Sequence, residues 1–259
     1  MTDSALIKRQ DEGPIATLTL NDPARRNPLS PALVSELTMA LTDAARDTSV
    51  RCVVITGAGR GFCAGADLRR MRLASPLEDR DEYDAILNLN RLLWNFGKPT
   101  VSAVHGFALS AGANLMSWCD IAVADEDTLI GFPEVKAGVP SATVIPSLLR
   151  LVGRKKMYEL VLTGQPIATA DAAAIGLVSR VTAPGTSLQV AQSMASVIAG
   201  HHPDAIRLTK EIIHATTDMT YEQGIVFAKE VRVISRLRSD FHVEVPAGGN
   251  SSLAESSRS

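Results

Sequence analysis

The chemistry in this chain concentrates between Ala103 and Glu134, where small residues open a helical pattern and a carboxylate stands in an uncharged stretch. The apolar run Val101–Val104 halts at Gly106, and Ala108, Ser110, Ala111, Gly112 and Ala113 then lead into helical spacing through Asn114 to Trp118. The first N–H groups of a helix have no intrahelical partner. Flanked by small side chains, they can approach a ligand oxygen and stabilise a negative charge developing on it; one such donor is worth about 3 kcal/mol in a transition state. Glu134 follows Pro133 in the otherwise uncharged segment Thr128–Pro133, and is the candidate general base.

The same residues admit other readings. Ala108-Leu109-Ser110-Ala111-Gly112 is one substitution from the G-x-S-x-G nucleophile elbow, which would make Ser110 the nucleophile of a serine hydrolase. Asp171 and one of His201, His202 or His214 would complete its triad. Small residues also serve simple close helix packing. Gly57-Ala58-Gly59-Arg60-Gly61-Phe62 follows a strand pattern but puts Phe62 where the dinucleotide fingerprint needs its third glycine, and no Gly-Lys-Ser/Thr follows to make a P-loop.

The elements that must hold these residues alternate. Ile15–Leu20 reads as a half-buried strand closed by Asn21-Asp22-Pro23. Ser30-Pro31 reads as N-cap and first residue of a helix to about Asp47, with Leu33, Leu37, Ala40, Leu41 and Ala44 on one face. The β-branched run Val50–Thr56 predicts a strand buried on both faces, ending in the loop Gly57–Ala66. A helix is expected near Asp67, a mobile flap over the charged Leu73–Tyr83, and helical spacing again over Asp84–Phe96. Strands at Thr100–Val104, Ile121–Ala124 and Thr128–Ile130 bracket the Ala111–Trp118 helix. One further strand, Leu177–Val181, interrupts helices at Val144–Leu151, Arg154–Leu162, Ala170–Ile175, Ser187–Ala199, Pro203–Thr216 and Tyr221–Leu237. Such alternation predicts an α/β fold.

Composition narrows the function classes. The 259 residues are 46% hydrophobic, enough for one large core with a helical appendage, and the net charge of −2 offers no electrostatic argument for nucleic acid. Met1–Gln10 lacks a basic run leading into an apolar stretch, and no segment approaches the roughly 20 apolar residues of a bilayer span, so a soluble, cytoplasmic chain is expected. Cys52, Cys63 and Cys119 are odd in number and lack paired metal-ligand spacing; they read as buried thiols, as Trp94 and Trp118 read as core residues. The Ser-rich end, 246–259, reads as a disordered tail.

Taken together, the motifs resemble the crotonase, or enoyl-CoA hydratase/isomerase, superfamily over about Pro14 to Phe241. They are Asn21-Asp22-Pro23-Ala24-Arg25-Arg26-Asn27-Pro28-Leu29-Ser30, Ile55-Thr56-Gly57 leading to Phe62-Cys63-Ala64-Gly65-Ala66-Asp67-Leu68, Lys98-Pro99, His105-Gly106-Phe107-Ala108, Cys119-Asp120-Ile121, Phe132-Pro133-Glu134-Val135, Leu162-Thr163-Gly164 and Ala172-Ala173-Ala174-Ile175-Gly176-Leu177-Val178. The order and spacing carry the likeness more than any single motif.

The resemblance implies a ββα superhelix, residues 1–200, with a C-terminal helical trimerisation region, 201–245, assembled as homotrimers or dimers of trimers. It implies an acyl-CoA thioester as substrate, no separate cofactor, and an oxyanion hole made of the Ala66 and Ala111 N–H groups. Ala64, Ala66, Asp67, Leu68, Arg69 and Ala111 would lie along the substrate, with Arg25 or Arg26 at its phosphates or simply in solvent. Tyr221 is a candidate wall of the acyl pocket. His105 reads as a satisfied structural histidine. Hydratases of the family use two glutamates; one matches Glu134, but the other falls on Asn114, and Val139-Pro140-Ser141-Ala142-Thr143 replaces their glycine-rich turn. An amide orients water but cannot take its proton. The resemblance therefore implies double-bond isomerisation through an enolate with Glu134 as the only base. Hydration with Asn114 orienting water, and a silent acyl-CoA-binding protein, are the alternatives.

Overall fold

The structure, a computed structural model, describes residues 5–66 and 75–236. Its strands are β1 (Ile7–Glu12), β2 (Ile15–Leu20), β3 (Cys52–Gly57), β4 (Thr100–Val104), β5 (Phe107–Leu109), β6 (Ile121–Asp125), β7 (Leu129–Gly131), β8 (Ile167–Ala168) and β9 (Arg180–Thr182). Its α-helices, in chain order, are α1 (Pro31–Arg46), α2 (Pro76–Trp94), α3 (Ala111–Trp118), α4 (Val144–Leu148), α5 (Arg154–Thr163), α6 (Thr169–Ala174), α7 (Ser187–Ala199), α8 (Pro203–Thr216) and α9 (Tyr221–Arg236). A six-stranded sheet runs β1-β2-β3-β4-β6-β9, antiparallel only between β1 and β2, and a three-stranded sheet runs β5-β7-β8.

The period of two along β3 explains why the large sheet is buried on both sides. Val53 and Ile55 join one apolar cluster with Leu33, Leu37 and Leu41 of α1, while Cys52 and Val54 join another with Ala191 and Ala195 of α7. α1 starts where Ser30 accepts from the Leu33 N–H with Pro31 in the first turn. It ends against Lys98, whose ammonium donates to the Ala44 and Asp47 carbonyls at 2.7 and 2.6 Å. Burial lowers the Lys98 pKa from its ordinary value.

Several elements differ from the sequence expectation. The charged segment around Leu73–Tyr83 is not a flap where it is described: α2 begins at Pro76, eight residues before Asp84. Ser75 and Glu78 form a reciprocal capping box there, with Pro76 in the first turn, so the local chemistry starts a helix despite the charge. Ile15–Leu20 is buried along nearly its whole length rather than half-buried, because β1 covers its free edge and helices cover its face. β1 itself was not anticipated, since Lys8–Glu12 are exposed and carry no alternation. β9 lies at Arg180–Thr182 and not Leu177–Val181, as Leu177 and Val178 are core side chains outside any strand. α4 stops at Leu148, short of Leu151. Trp94 is 37% exposed, its ring covered by the Arg150 guanidinium at 5.6 Å, whereas Trp118 is buried. The helix expected near Asp67 falls outside the described residues.

The described residues divide into two compact units, one up to Lys210 and one from Glu211 onward. In the second, Thr220 and Gln223 cap α9 reciprocally, the Thr220 N–H donating to Gln223 at 3.0 Å. Among the described residues no helix is long and apolar enough to cross a membrane.

Candidate active site

The site lies in the first unit, where two loops leave the ends of neighbouring parallel strands. β3 and β4 pair in parallel, so the loop after Gly57 and the β4–β5 turn emerge side by side. Asn27 fastens the first loop: fully buried, it donates to the carbonyls of Ala58, Gly61 and Phe62 at 2.9–3.0 Å and accepts from the Asp22 N–H. The loop then joins β5, with the Leu109 N–H donating to the Cys63 carbonyl at 3.0 Å and Cys63 bridging to Ala108. Glycine permits this approach at two places. A Cβ on Gly65, whose φ is +98°, would sit 2.5 Å from the Ser110 Cβ, and one on Gly112 would run into the Cys63 carbonyl.

β5 and β7 set the other side. They pair in parallel with Leu109 opposite Gly131, and the Ser110 N–H donates to the Gly131 carbonyl at 2.8 Å. Ala111 therefore follows one strand two residues on, and Glu134 follows its neighbour three residues on. Ser110 turns β5 into α3 with φ 53° and ψ −129°, a conformation costing non-glycine residues about 1–3 kcal/mol. Ala111 is the first residue of α3, and among the described residues neither its N–H nor that of Ala66 donates to a backbone carbonyl.

A cavity of about 130 Å³ brings Ala64, Ala66, Ser110, Ala111 and Glu134 together. Leu29, Pro31 and Val34 at the start of α1 supply an apolar wall, Glu82, Tyr83 and Ile86 of α2 a second, and Ala137 with the segment 139–143 a third. Glu134 opens a short 3₁₀ turn ending at Gly138, and its Oε2 accepts from the Ser141 hydroxyl at 3.1 Å.

The remaining candidates lie elsewhere. Asn114 is fully buried and does not line the cavity; its Nδ2 donates to the Thr143 carbonyl at 3.1 Å, and Oδ1 has no partner among the described residues. Arg26 is exposed, and its carbonyl accepts from the Ala64 N–H at 3.0 Å; the Arg25 guanidinium pairs with Asp22. His105 Nε2 faces the Gly59 carbonyl at 3.1 Å. Tyr221 is exposed on the second unit. Asp67, Leu68 and Arg69 fall outside the described residues. For the hydrolase reading, the cavity lining contains no histidine among the described residues, Asp171, His201 and His202 are exposed, and His214 belongs to the second unit.

Among the lining residues that the sequence reading does not place at the site are Glu82, Tyr83 and Ser141. Glu82 and Tyr83 were assigned to a flap, although the Ser75-Pro76-Leu77-Glu78 capping signature was available to start the helix that carries them. Ser141 was noted only as a departure from a glycine-rich turn.

Comparison with known proteins agrees with this architecture. The Enoyl-CoA hydratase/isomerase family profile matches residues 10–249. A putative enoyl-CoA hydratase of Thermus thermophilus is 42% identical, over 84% of this chain and 87% of that protein. The 2,3-dehydroadipyl-CoA hydratase of Escherichia coli K12 is 36% identical, over 93% and 94%. Among solved structures, the enoyl-CoA hydratase of Mycobacterium smegmatis superposes with a TM-score of 0.87 at 31% identity, covering 91% of this chain and 93% of that one. The chain belongs to the enoyl-CoA hydratase/isomerase family, has the crotonase fold, and is an enzyme.

Proposed function

We propose that this enzyme acts on acyl-CoA thioesters through an enolate, and that its principal reaction is migration of an enoyl double bond with Glu134 as the base. The Ala66 and Ala111 N–H groups would hold the thioester oxygen as negative charge gathers on it, and Glu134 would take a proton from C2 of a 3-enoyl thioester and return it at C4. The observation that carries this reading is that Glu134 lines one cavity with Ala66 and Ala111, while Asn114 is buried outside that lining with its amide on the Thr143 carbonyl. Assembly as trimers or dimers of trimers belongs to the same proposal.

Hydration is the second reading. It draws support from the names of the relatives and from Glu82, a second carboxylate in the cavity lining that could share the work of activating water and delivering a proton. Product analysis by mass spectrometry on matched 2-enoyl and 3-enoyl thioesters separates the two. Faster isomerisation of the 3-enoyl thioester supports the proposal; faster hydration of the 2-enoyl thioester, lost in Glu82→Gln, replaces it with the second reading.

A further inference from the structure

We infer that Asn114, the turn at Thr143 and Ser141 form a relay that positions the Glu134 carboxylate, an inference that rests on Glu134 acting as the base. The relay starts in α3. Its fully buried Asn114 donates from Nδ2 to the Thr143 carbonyl at 3.1 Å, and one helical turn later Trp118 Nε1 donates to Ser147 Oγ at 3.1 Å. Both acceptors sit four residues apart, as do both donors, so the face of α3 holds the 143–147 segment at two points. Within that segment the Ile145 N–H donates to the Ser141 carbonyl at 3.2 Å, tying Ser141 to the clamped stretch. Ser141 is only 4% exposed, and its hydroxyl donates to Glu134 Oε2 at 3.1 Å.

This arrangement gives chemical content to the amide at 114. The group it meets is a carbonyl, which accepts only, so the NH₂ end of the side chain must face it. A carboxylate at that position would present acceptors to an acceptor and release the turn. The Ser141 hydroxyl, in turn, engages one carboxylate oxygen of Glu134 and leaves Oε1 for the proton. Asn114 and Ser141 are thus positioning residues, and Glu134 is the group that meets substrate.

The test follows exchange of the C2 proton of a CoA thioester with deuterated water, recording kcat and KM. Ser141→Ala should lower kcat about 10-fold with KM held within about two-fold, as loss of a hydrogen bond to a charged group that matters in the reacting state would do. Ser141→Thr, which keeps the hydroxyl, should recover to within about three-fold of the wild type. Asn114→Asp should also lower kcat, and because both changes act through one turn, the double variant should be no more than about three-fold slower than the worse single one. Exchange that Ser141→Ala leaves at the wild-type rate, a threonine no better than alanine, or losses that multiply in the double variant overturn the relay alone. A wild-type protein that exchanges no C2 proton overturns Glu134 as the base and the relay with it.

Discussion

The proposed function gives the chemistry to two backbone groups and one carboxylate, so substitutions at the residue scale should separate backbone from side-chain roles. Ala66→Pro removes an N–H that no other atom of that residue can replace, and should depress turnover by about 100-fold or more in a protein that retains its circular dichroism. Ser110 gives the opposite prediction. Its side chain makes no capping hydrogen bond, and its backbone occupies a region that suits glycine, so Ser110→Gly should keep turnover and raise stability by about 1 kcal/mol in urea denaturation. Loss of activity there would revive Ser110 as a nucleophile. The small residues were legible in the sequence because their absent side chains are themselves the signal. Asn27 was not, since nothing local says that an asparagine will staple the carbonyls of a loop more than thirty positions away. Ser141 was hidden for a different reason: its partner Glu134 is only seven positions back, but the left-handed turn at Gly138 decides which side chains meet.

At the scale of elements, the site depends on how closely the loop after β3 approaches α3. Gly112→Ala puts a methyl group against backbone at Cys63, where no flexible side-chain end can yield. It should cost about 1–3 kcal/mol by differential scanning calorimetry and slow turnover by moving the loop that carries Ala66 away from the start of α3 that carries Ala111. An unchanged melting temperature would mean that the loops tolerate separation. Helices were read well where an N-cap and a continuous apolar stripe coincide, as in α1. They were read poorly where charge masked the cap, as at the start of α2. Strands in the buried sheet stood out as β-branched runs, whereas β1, β5 and β8 owe their state to partners: β1 to the edge of β2, β5 and β8 to β7. Such pairings are long-range facts that no window of sequence contains.

For the molecule as a whole, the buried thiols report integrity. Burial pushes Cys52, Cys63 and Cys119 up to about 12, with Asp120 adding to the rise at Cys52 and Cys119. All three should therefore stay unmodified by iodoacetamide at pH 8 in the native protein and react together once denaturant passes the unfolding midpoint, as mass spectrometry would record. Early alkylation of one thiol alone would show local opening of its region. The central claim, that Glu134 moves the proton at the carbon beside the thioester, has a direct measurement: the rate of C2 proton exchange with deuterated water in the wild type and in Glu134→Gln, with acyl-CoA affinity measured in parallel. Exchange should fall by about 10²–10⁴-fold in Glu134→Gln with affinity changed by less than about three-fold. Exchange that persists at the wild-type rate in Glu134→Gln would contradict it.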